Sequence, residues 1–423
     1  MTTINSIPNA LISATDPTGV LNIQTNSTTA LSIASNSQVA IANTMYVANS
    51  TTFATNVSMP NTFGFKNRII NGAMVIDQRN SGASVNNSAG AYVFSVDRFK
   101  FWGTNANIFK VQQNAGSVTP PPGFTNYIGV TSLAATTPSS TDQYFFGQII
   151  EGYNIADIGM GTSYAKQISI SFWAYSSLTG TFGGALQTSA GTCPFSYTII
   201  SANTWTYCTI VTNPNTSYSP NSTTNGTGMW ALFDLGSGST FYGGTANTWG
   251  STAVNSVSGT NKLISTNGAT LYLTGFQLEV GTQATSFDYR PYGTELALCQ
   301  RYYYAIFNPS SAQGYSSNPV QAGSSSTSGN FGMAIKPPVS MRSTSFSVNW
   351  SNPSNNIGWN WTGSGSGYFT SSAPTTYSGS NAECFAMYAV GNATGSSGTF
   401  SQGSLMWLYC WSTGAVFGIS TEL

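Results

Sequence analysis

"LTGFQLEVGTQATSFDYRPYGTELALCQRYYY", residues 273–304, carries the change of character on which the fold reading turns. Its opening LTGFQLEVG alternates apolar and polar residues, the period of a half-buried strand, and reads as the closing strand of a β-sandwich. Pro291 and Gly293 then interrupt regular structure. Thr294 stands where a helix N-cap belongs, Glu295 falls in the first turn, and Leu296 keeps helical spacing to Cys299 or Gln300. Residues 293–304 therefore read as a short helical linker. Asp288, Arg290, Glu295 and Arg301 gather here beside five tyrosines, although only 6% of the chain is charged. Arg290 and Arg301 can pair with Asp288, Glu279 or Glu295, and such charge-assisted hydrogen bonds would lock linker to sandwich. The four charges read as structural.

Working back toward the N-terminus, strand-like runs recur: "YVFSVDRFKFW" (92–102), "YFFGQII" (144–150), "QISISFWAYS" (167–176), "FSYTII" (195–200), "WTYCTIVT" (205–212), "MWALFDL" (229–235) and "ATLYLTGFQLEV" (269–280). Turn residues separate them, and a helical turn is conceivable near "YNIADIGMG". Seven such runs over residues 66–292 predict two packed antiparallel sheets in jelly-roll arrangement. Trp173 and Trp205 fall in strong strand patterns and read as core residues.

Composition agrees with an all-β chain. Of 423 residues, 40% are hydrophobic and 13% aromatic, while Lys plus Arg and Asp plus Glu number twelve each. Low charge with many aromatics is the opposite of a disordered chain. Neutral charge without a basic run excludes the electrostatic footprint of a nucleic-acid binder. Histidine is absent, which removes Ser-His-Asp and Cys-His catalysis and His-containing zinc sites. The five cysteines, at 193, 208, 299, 384 and 410, show no CxxC spacing and read as buried free thiols, with Cys193 and Cys208 the one pair able to meet across a hairpin. No EF-hand-like loop is present, and neither metal nor cofactor is expected. The N-terminus lacks the basic start and apolar run of a signal peptide, and no window has the unbroken apolar length of a membrane span.

Residues 1–65 hold one charged side chain, Asp16, and a recurrent aliphatic pattern: Leu21 and Ile23, Leu31 and Ile33, Val39 and Ile41. One such unit buries two aliphatic side chains at ~2–3 kcal/mol each. Ordering its roughly ten residues costs about 1–2 kcal/mol apiece. The stripe is thus expected to gain its core by lying against copies of itself as a fibrous β shaft, the alternative being a Ser/Thr/Asn-rich linker.

After Tyr304 glycine and serine become dense, and short strands recur in "FGMAIKPPVSMRSTSFSVNW", "AECFAMYAV" and "SLMWLYCWSTGAVFGISTEL". Residues 305–423 read as a second, smaller β domain whose long loops suit recognition. Trp359 and Trp361 beside Asn360, in "NNIGWNWTGSGSGYF", and Tyr242 with Trp249, in "FYGGTANTWGS", combine rings with amides in glycine-rich settings. That is the chemistry of saccharide recognition, so these five are the candidate glycan-binding residues. No catalytic residue is assigned. A glycosidase needs two carboxylates ~5–9.5 Å apart, one with a raised pKa. Asp97, Asp77 and Asp288 each sit beside an arginine, which favours structure over acid catalysis. Asp142, Glu151 and Asp157 form the nearest thing to an acidic cluster.

"NRIINGAMVIDQRNSG", "VDRFKFW", "KQISISFWAYSSLTGTF", "ANTWTYCTIV" and the 273–304 segment resemble a module of bacteriophage tail-fibre and other virion structural proteins, over about residues 66–304. "KPPVSMRSTSF" and "ISTEL" resemble the C-terminal domains that follow it, and residues 1–65 resemble fibre stalks in general style. That module is similar in outline to carbohydrate-binding jelly rolls. The resemblance implies a homotrimeric virion protein, made in the host cytoplasm and attached to other virion proteins through residues 1–65, that binds host-surface polysaccharide or glycan without covalent chemistry. The alternatives are a purely structural head or neck fibre or capsid decoration protein, and, third, a polysaccharide depolymerase.

Overall fold

The computed structural model describes residues 65–307, 335–349 and 416–423 in full and elsewhere the backbone of individual strands only. The chain divides into two compact units, Met1–Pro60 and Asn61–Leu423. In the first, β1 (Ile12–Thr15), β2 (Leu21–Thr25), β3 (Thr28–Ile33) and β4 (Val39–Ala40) form an antiparallel sheet in sequential order. Its register sets Leu21 opposite Ile33, Ile23 opposite Leu31, and Ile33 opposite Val39 within one chain.

The second unit is built on two six-stranded antiparallel sheets. One contains β6 (Val93–Phe94), β7 (Phe99–Gly103), β10 (Tyr144–Glu151), β12 (Gly180–Gln187), β13 (Thr192–Ile199) and β15 (Thr227–Asp234) in the order β13-β12-β15-β10-β7-β6. The other contains β5 (Val85–Asn86), β8 (Phe109–Gln113), β9 (Ile128–Ser132), β11 (Ile168–Ser176), β14 (Thr206–Val211) and β16 (Thr270–Val280) in the order β14-β11-β16-β9-β8-β5. The chain passes repeatedly from one sheet to the other, the winding of a jelly roll. β16 is last in sequence but lies between β11 and β9.

Alternation decides which side chains meet between the sheets. Phe99 and Phe101 of β7, Phe146 of β10, Phe172 of β11, Phe233 of β15 and Phe276 of β16 are all within 1% of full burial. Phe233 holds the centre, with ring centroids 5.0 Å from Phe172, 5.1 Å from Phe276 and 5.3 Å from Phe146. Each such ring contributes about 1.5–3 kcal/mol by burial, before its edge-to-face contacts. The run YVFSVDRFKFW divides into two strands because Arg98, at φ 72, makes a left-handed turn between them.

Two expectations are corrected here. Trp173 and Trp205 are not in the core: both are half-buried, and Trp205 packs with Tyr127, Tyr175 and Tyr272 on the outer side of their sheet. Cys193 and Cys208 belong to strands of opposite sheets rather than to one hairpin, and both are buried free thiols, as is Cys299. Burial without a compensating charge pushes the Cys193 and Cys208 thiols up to about 12.

After β16, α1 (Tyr292–Gln300) begins behind Pro291, so Thr294 lies inside the helix rather than at its cap. β17 (Tyr303–Phe307) then pairs antiparallel with the strand Val416–Ser420, whose other edge carries Ser347–Ser351. Further strands, among them Ile357–Trp361 and Leu405–Cys410, form a five-stranded sheet, and Asn330–Ile335 pairs with Phe385–Val390.

Candidate functional site

The charged residues of the 288–301 segment are all engaged with the sandwich. Arg290 holds both carboxylate oxygens of Glu295 at 3.2 Å and donates to the Ile69 carbonyl at 3.2 Å and to the Asn67 carbonyl. Glu295 in turn accepts the Asn71 backbone N–H. Asp288 accepts the Asn67 N–H at 3.2 Å rather than pairing with Arg290. Arg301 forks onto Glu151 of β10, Nη2 to Oε1 at 2.6 Å and Nε to Oε2 at 3.1 Å, and the Tyr302 hydroxyl donates to the same carboxylate. Arg98 and Arg79 both reach Glu422, with Arg98 lying 3.5 Å from the Tyr302 ring centre and Arg79 3.7 Å from that of Tyr303. This is a joint, tying residues 67–79, β10, α1, β17 and the 416–423 strand together.

The acidic residues named from sequence are separated by these pairings. Glu151 belongs to Arg301, Asp157 to Arg68 at 2.7 Å, and Asp142 accepts the Ser139 N–H at 2.8 Å. Asp97 pairs with Arg79 across 3.9 Å, not with Arg98, and accepts two bonds from Gln78. Burial still pushes Asp97 up to about 7, against the lowering pull of Arg79 and Gln78. Asp234 is likewise pushed up to about 6 by burial, opposed by Ser237, Tyr242 and Gly236 donors.

Tyr242 is half-buried and donates to Asp234 at 3.2 Å, with Lys262 5.0 Å from its ring centre. Trp249 packs against the main core, its indole N–H enclosed without a hydrogen-bond partner. The two share a loop but make no common face with each other in any ring contact. Trp359, Asn360 and Trp361 lie on the strand Ile357–Trp361, opposite Leu408, Trp407 and Met406; their side chains fall outside the described residues.

A different aromatic group opens to solvent. On β7, Phe99 and Phe101 point into the core, which turns Lys100 and Trp102 outward; on β15, Met229, Ala231 and Phe233 point inward, which turns Trp230 outward. Register brings these together across β10: Trp102 opposite Phe145, Lys100 opposite Gly147, Trp230 opposite Ile149. Gly147 is required in that row because a Cβ there would stand 2.1 Å from the Ala231 carbonyl oxygen. Tyr92 lies over the group, 4.7 Å from Trp102 and 5.4 Å from Trp230 between ring centroids, and remains 46% exposed.

Lys100 sits between two rings, its Nζ 4.1 Å from the centre of Tyr92 and 4.3 Å from that of Trp230, and donates to the Leu423 carbonyl at 2.5 Å. Desolvation lowers it to about 7, opposed by Glu422 and assisted by Arg98. Beside it opens a cleft of roughly 430 Å³ lined by Tyr92, Lys100, Arg342, Ser345, Ser347 and Thr421, among others. Arg342 forms its floor, donating to the carbonyls of Thr421 at 2.6 Å, Asn225 at 2.8 Å and Glu422 at 3.3 Å. Aromatic face, cations and hydroxyls thus converge on one volume large enough for a sugar. Sequence reading missed this group, although the Lys in FKFW and the Asp in MWALFDL mark the face of their strands turned away from the apolar core.

No protein-family model matches the chain, and no curated protein matches it in sequence. Among solved structures, the chain is similar to the enzymatically active domain of bacteriophage CBA120 tailspike protein 4, at 12% identity and TM-score 0.25, over 51% of this chain and 21% of that one. It thus spans about a fifth of the tailspike's length. It is also similar to the family 11 carbohydrate-binding module of a Clostridium thermocellum cellulosomal cellulase, at 12% identity and TM-score 0.22, over 46% of this chain and 97% of the module. A third is the module TmCBM61, solved with β-1,4-galactotriose, at 10% identity and TM-score 0.22, over 43% and 88%. Overlaps this loose identify no ligand; the site stands on its own residues.

Proposed function

We propose that this chain is a bacteriophage virion fibre protein, a tail fibre, that binds host-surface glycan non-covalently. The observation that carries the reading is Tyr92, half exposed in the wall of the cleft and backed by Trp102 and Trp230, with Lys100 of the same wall held between the Tyr92 and Trp230 rings. Ring faces cover the apolar side of a pyranose, while Lys100, Arg342 and the Ser345, Ser347 and Thr421 hydroxyls offer partners to its oxygens. Lys100 already has a lowered pKa through desolvation, so donating to a sugar oxygen costs it little further hydration.

The binding is without covalent chemistry. Glu422 is the one carboxylic side chain among the described lining residues, and two guanidiniums grip it, leaving no free acid to protonate a leaving group. The virion assignment is supported by the resemblance of residues 66–304 to fibre modules, and the homotrimer by the aliphatic pattern of the first 65 residues. Three copies of a weak site gain strength by multivalency.

The test is a bacterial-polysaccharide array read with the purified protein and with Tyr92→Ala. Binding by the wild type that falls at least tenfold in the variant is the expected result. A wild type silent across the array leaves the purely structural fibre in place of this reading.

A further inference from the structure

The opposite sheet carries a second open aromatic strip. On β11 the core takes Phe172 and Ala174, so Trp173 and Tyr175 face outward. Trp173 stands opposite Tyr207 of β14, ring centroids 5.2 Å apart, and Tyr175 stands opposite Tyr272 of β16, 5.3 Å apart and within 4° of parallel. One end of the strip is roofed: Tyr272 is 5% exposed, and Trp205, 5.4 Å from Tyr175, is fixed by its indole donating to the Thr119 carbonyl at 2.8 Å. The other end is open, with Tyr207 46% exposed. The indole N–H of Trp173 and the hydroxyls of Tyr175 and Tyr207 make no hydrogen bond among the described residues. Rigid rings held by their neighbours, with donors left over, form a prepared surface.

Its charge defines the occupant. The two cross-strand rows that carry the rings, Tyr207–Trp173–Thr274 and Tyr175–Tyr272–Gly129, hold no acidic or basic residue. The cleft on the other sheet, by contrast, has Lys100 and Arg342 in its wall. A charged ligand on the strip would lose hydration with nothing to replace it. Two outward residues of one strand lie about 6.8 Å apart, so the strip spans more than one sugar ring.

We infer that the Trp173–Tyr175–Tyr207 strip is a second saccharide-binding surface, which takes an uncharged oligosaccharide of at least two pyranose units. The inference rests on the reading of the chain as a saccharide binder, but on different residues. Two surfaces on opposite sheets let one body hold two stretches of polysaccharide.

The probes are cellotetraose, β-1,4-galactotetraose and β-1,4-mannotetraose, with tetragalacturonate as the acidic control, titrated by calorimetry and tryptophan fluorescence. At least one neutral probe should bind; Trp173→Ala/Tyr207→Ala should weaken it tenfold or more, and Trp173→Phe should retain most of it. Unchanged neutral-probe binding in the double variant, or preference of the strip for tetragalacturonate, overturns the strip alone. A double variant that instead loses self-association in sedimentation shows that a sister chain covers the strip, which also overturns it. Silence of the wild type toward every probe here overturns the strip; silence on the polysaccharide array as well sinks both readings.

Discussion

Replacing Glu422 by alanine tests whether the joint holds the 416–423 strand to the sandwich. Its carboxylate side chain is 6% exposed and pairs with Arg98 and, at 3.3 Å, with Arg79, themselves 2% and 7% exposed. Without it, Arg98 keeps the Ile149 carbonyl at 2.7 Å and the Tyr302 ring, while Arg79 keeps the Ser420 hydroxyl at 3.4 Å, the Phe94 and Tyr303 rings and, as its one remaining anion, Asp97 at 3.9 Å. Two nearly buried cations would then share one distant anion. Removing one partner from a buried pair costs roughly 3–5 kcal/mol, chiefly because the remaining charge is left uncompensated. Arg68–Asp157 gives the internal control: its side chains are 23% and 49% exposed, and Asp157→Ala should cost about 0–1 kcal/mol. Urea unfolding followed by near-UV circular dichroism reads both. The Glu422→Ala/Arg98→Met protein, which removes one orphaned charge, should be less destabilised than the sum of its single variants. A Glu422→Ala loss below about 1 kcal/mol, or one equal to that of Asp157→Ala, refutes the argument.

Asp97 gives a pH prediction of definite sign. Its folded pKa of about 7 stands above the unfolded 3.8, so between roughly pH 4 and 7 the folded protein holds more proton than the unfolded one, and this residue makes stability fall as pH rises through that window. Lys100 opposes this only above its folded value of about 7, where the unfolded chain holds more proton. Asp97→Asn should therefore gain on the wild type between pH 4.5 and 8 in urea midpoint; a pH-independent difference counts against the buried carboxylate. Gly147→Val should destabilise by several kcal/mol or fail to fold, because even its Cβ would lie 2.1 Å from the Ala231 oxygen and 2.7 Å from the Leu232 Cα. A midpoint matching the wild type in thermal unfolding would show that the row between Lys100 and Leu232 has room not visible here.

The all-β sandwich was legible because alternation is a local property. LTGFQLEVG, QISISFWAYS and MWALFDL each announce a strand with one buried face. What they leave open is which sheet each strand joins and what covers the outer face. Trp173 shows the consequence. It follows Phe172 in a strong strand run, and size alone assigns both to the core, yet period two forces them to opposite faces. The same rule hides Tyr92, Trp102 and Trp230 as a site: they come from strands that register unites only through β10. Charge partners were misread for a similar reason. Asp97 and Arg98 are adjacent in sequence, but Arg98 sits at a left-handed turn and reaches Glu422, more than three hundred residues on.

The concentration of charge at the joint has a bearing on the binding faces. A chain with twelve cations and twelve anions has few to distribute. Arg79, Arg98, Arg290 and Arg301, with Asp97, Glu151, Glu295 and Glu422, are taken up in holding one seam. Paired charges add less stability than apolar packing would, but they fix geometry, because a shifted seam leaves guanidiniums without partners. Removing those charges from the sheet faces leaves serine, threonine and aromatic rings there, groups that meet a hydrated neutral sugar with little desolvation cost. Lys100 and Arg342 reach the cleft face beside the seam itself, while on the other sheet Lys110 of β8 stands opposite Thr131 and Lys66 lies 4.0 Å from Glu279 of β16. The position of the cleft thus follows from the seam, which sets where its cations stand and with them the charge that face presents to a ligand.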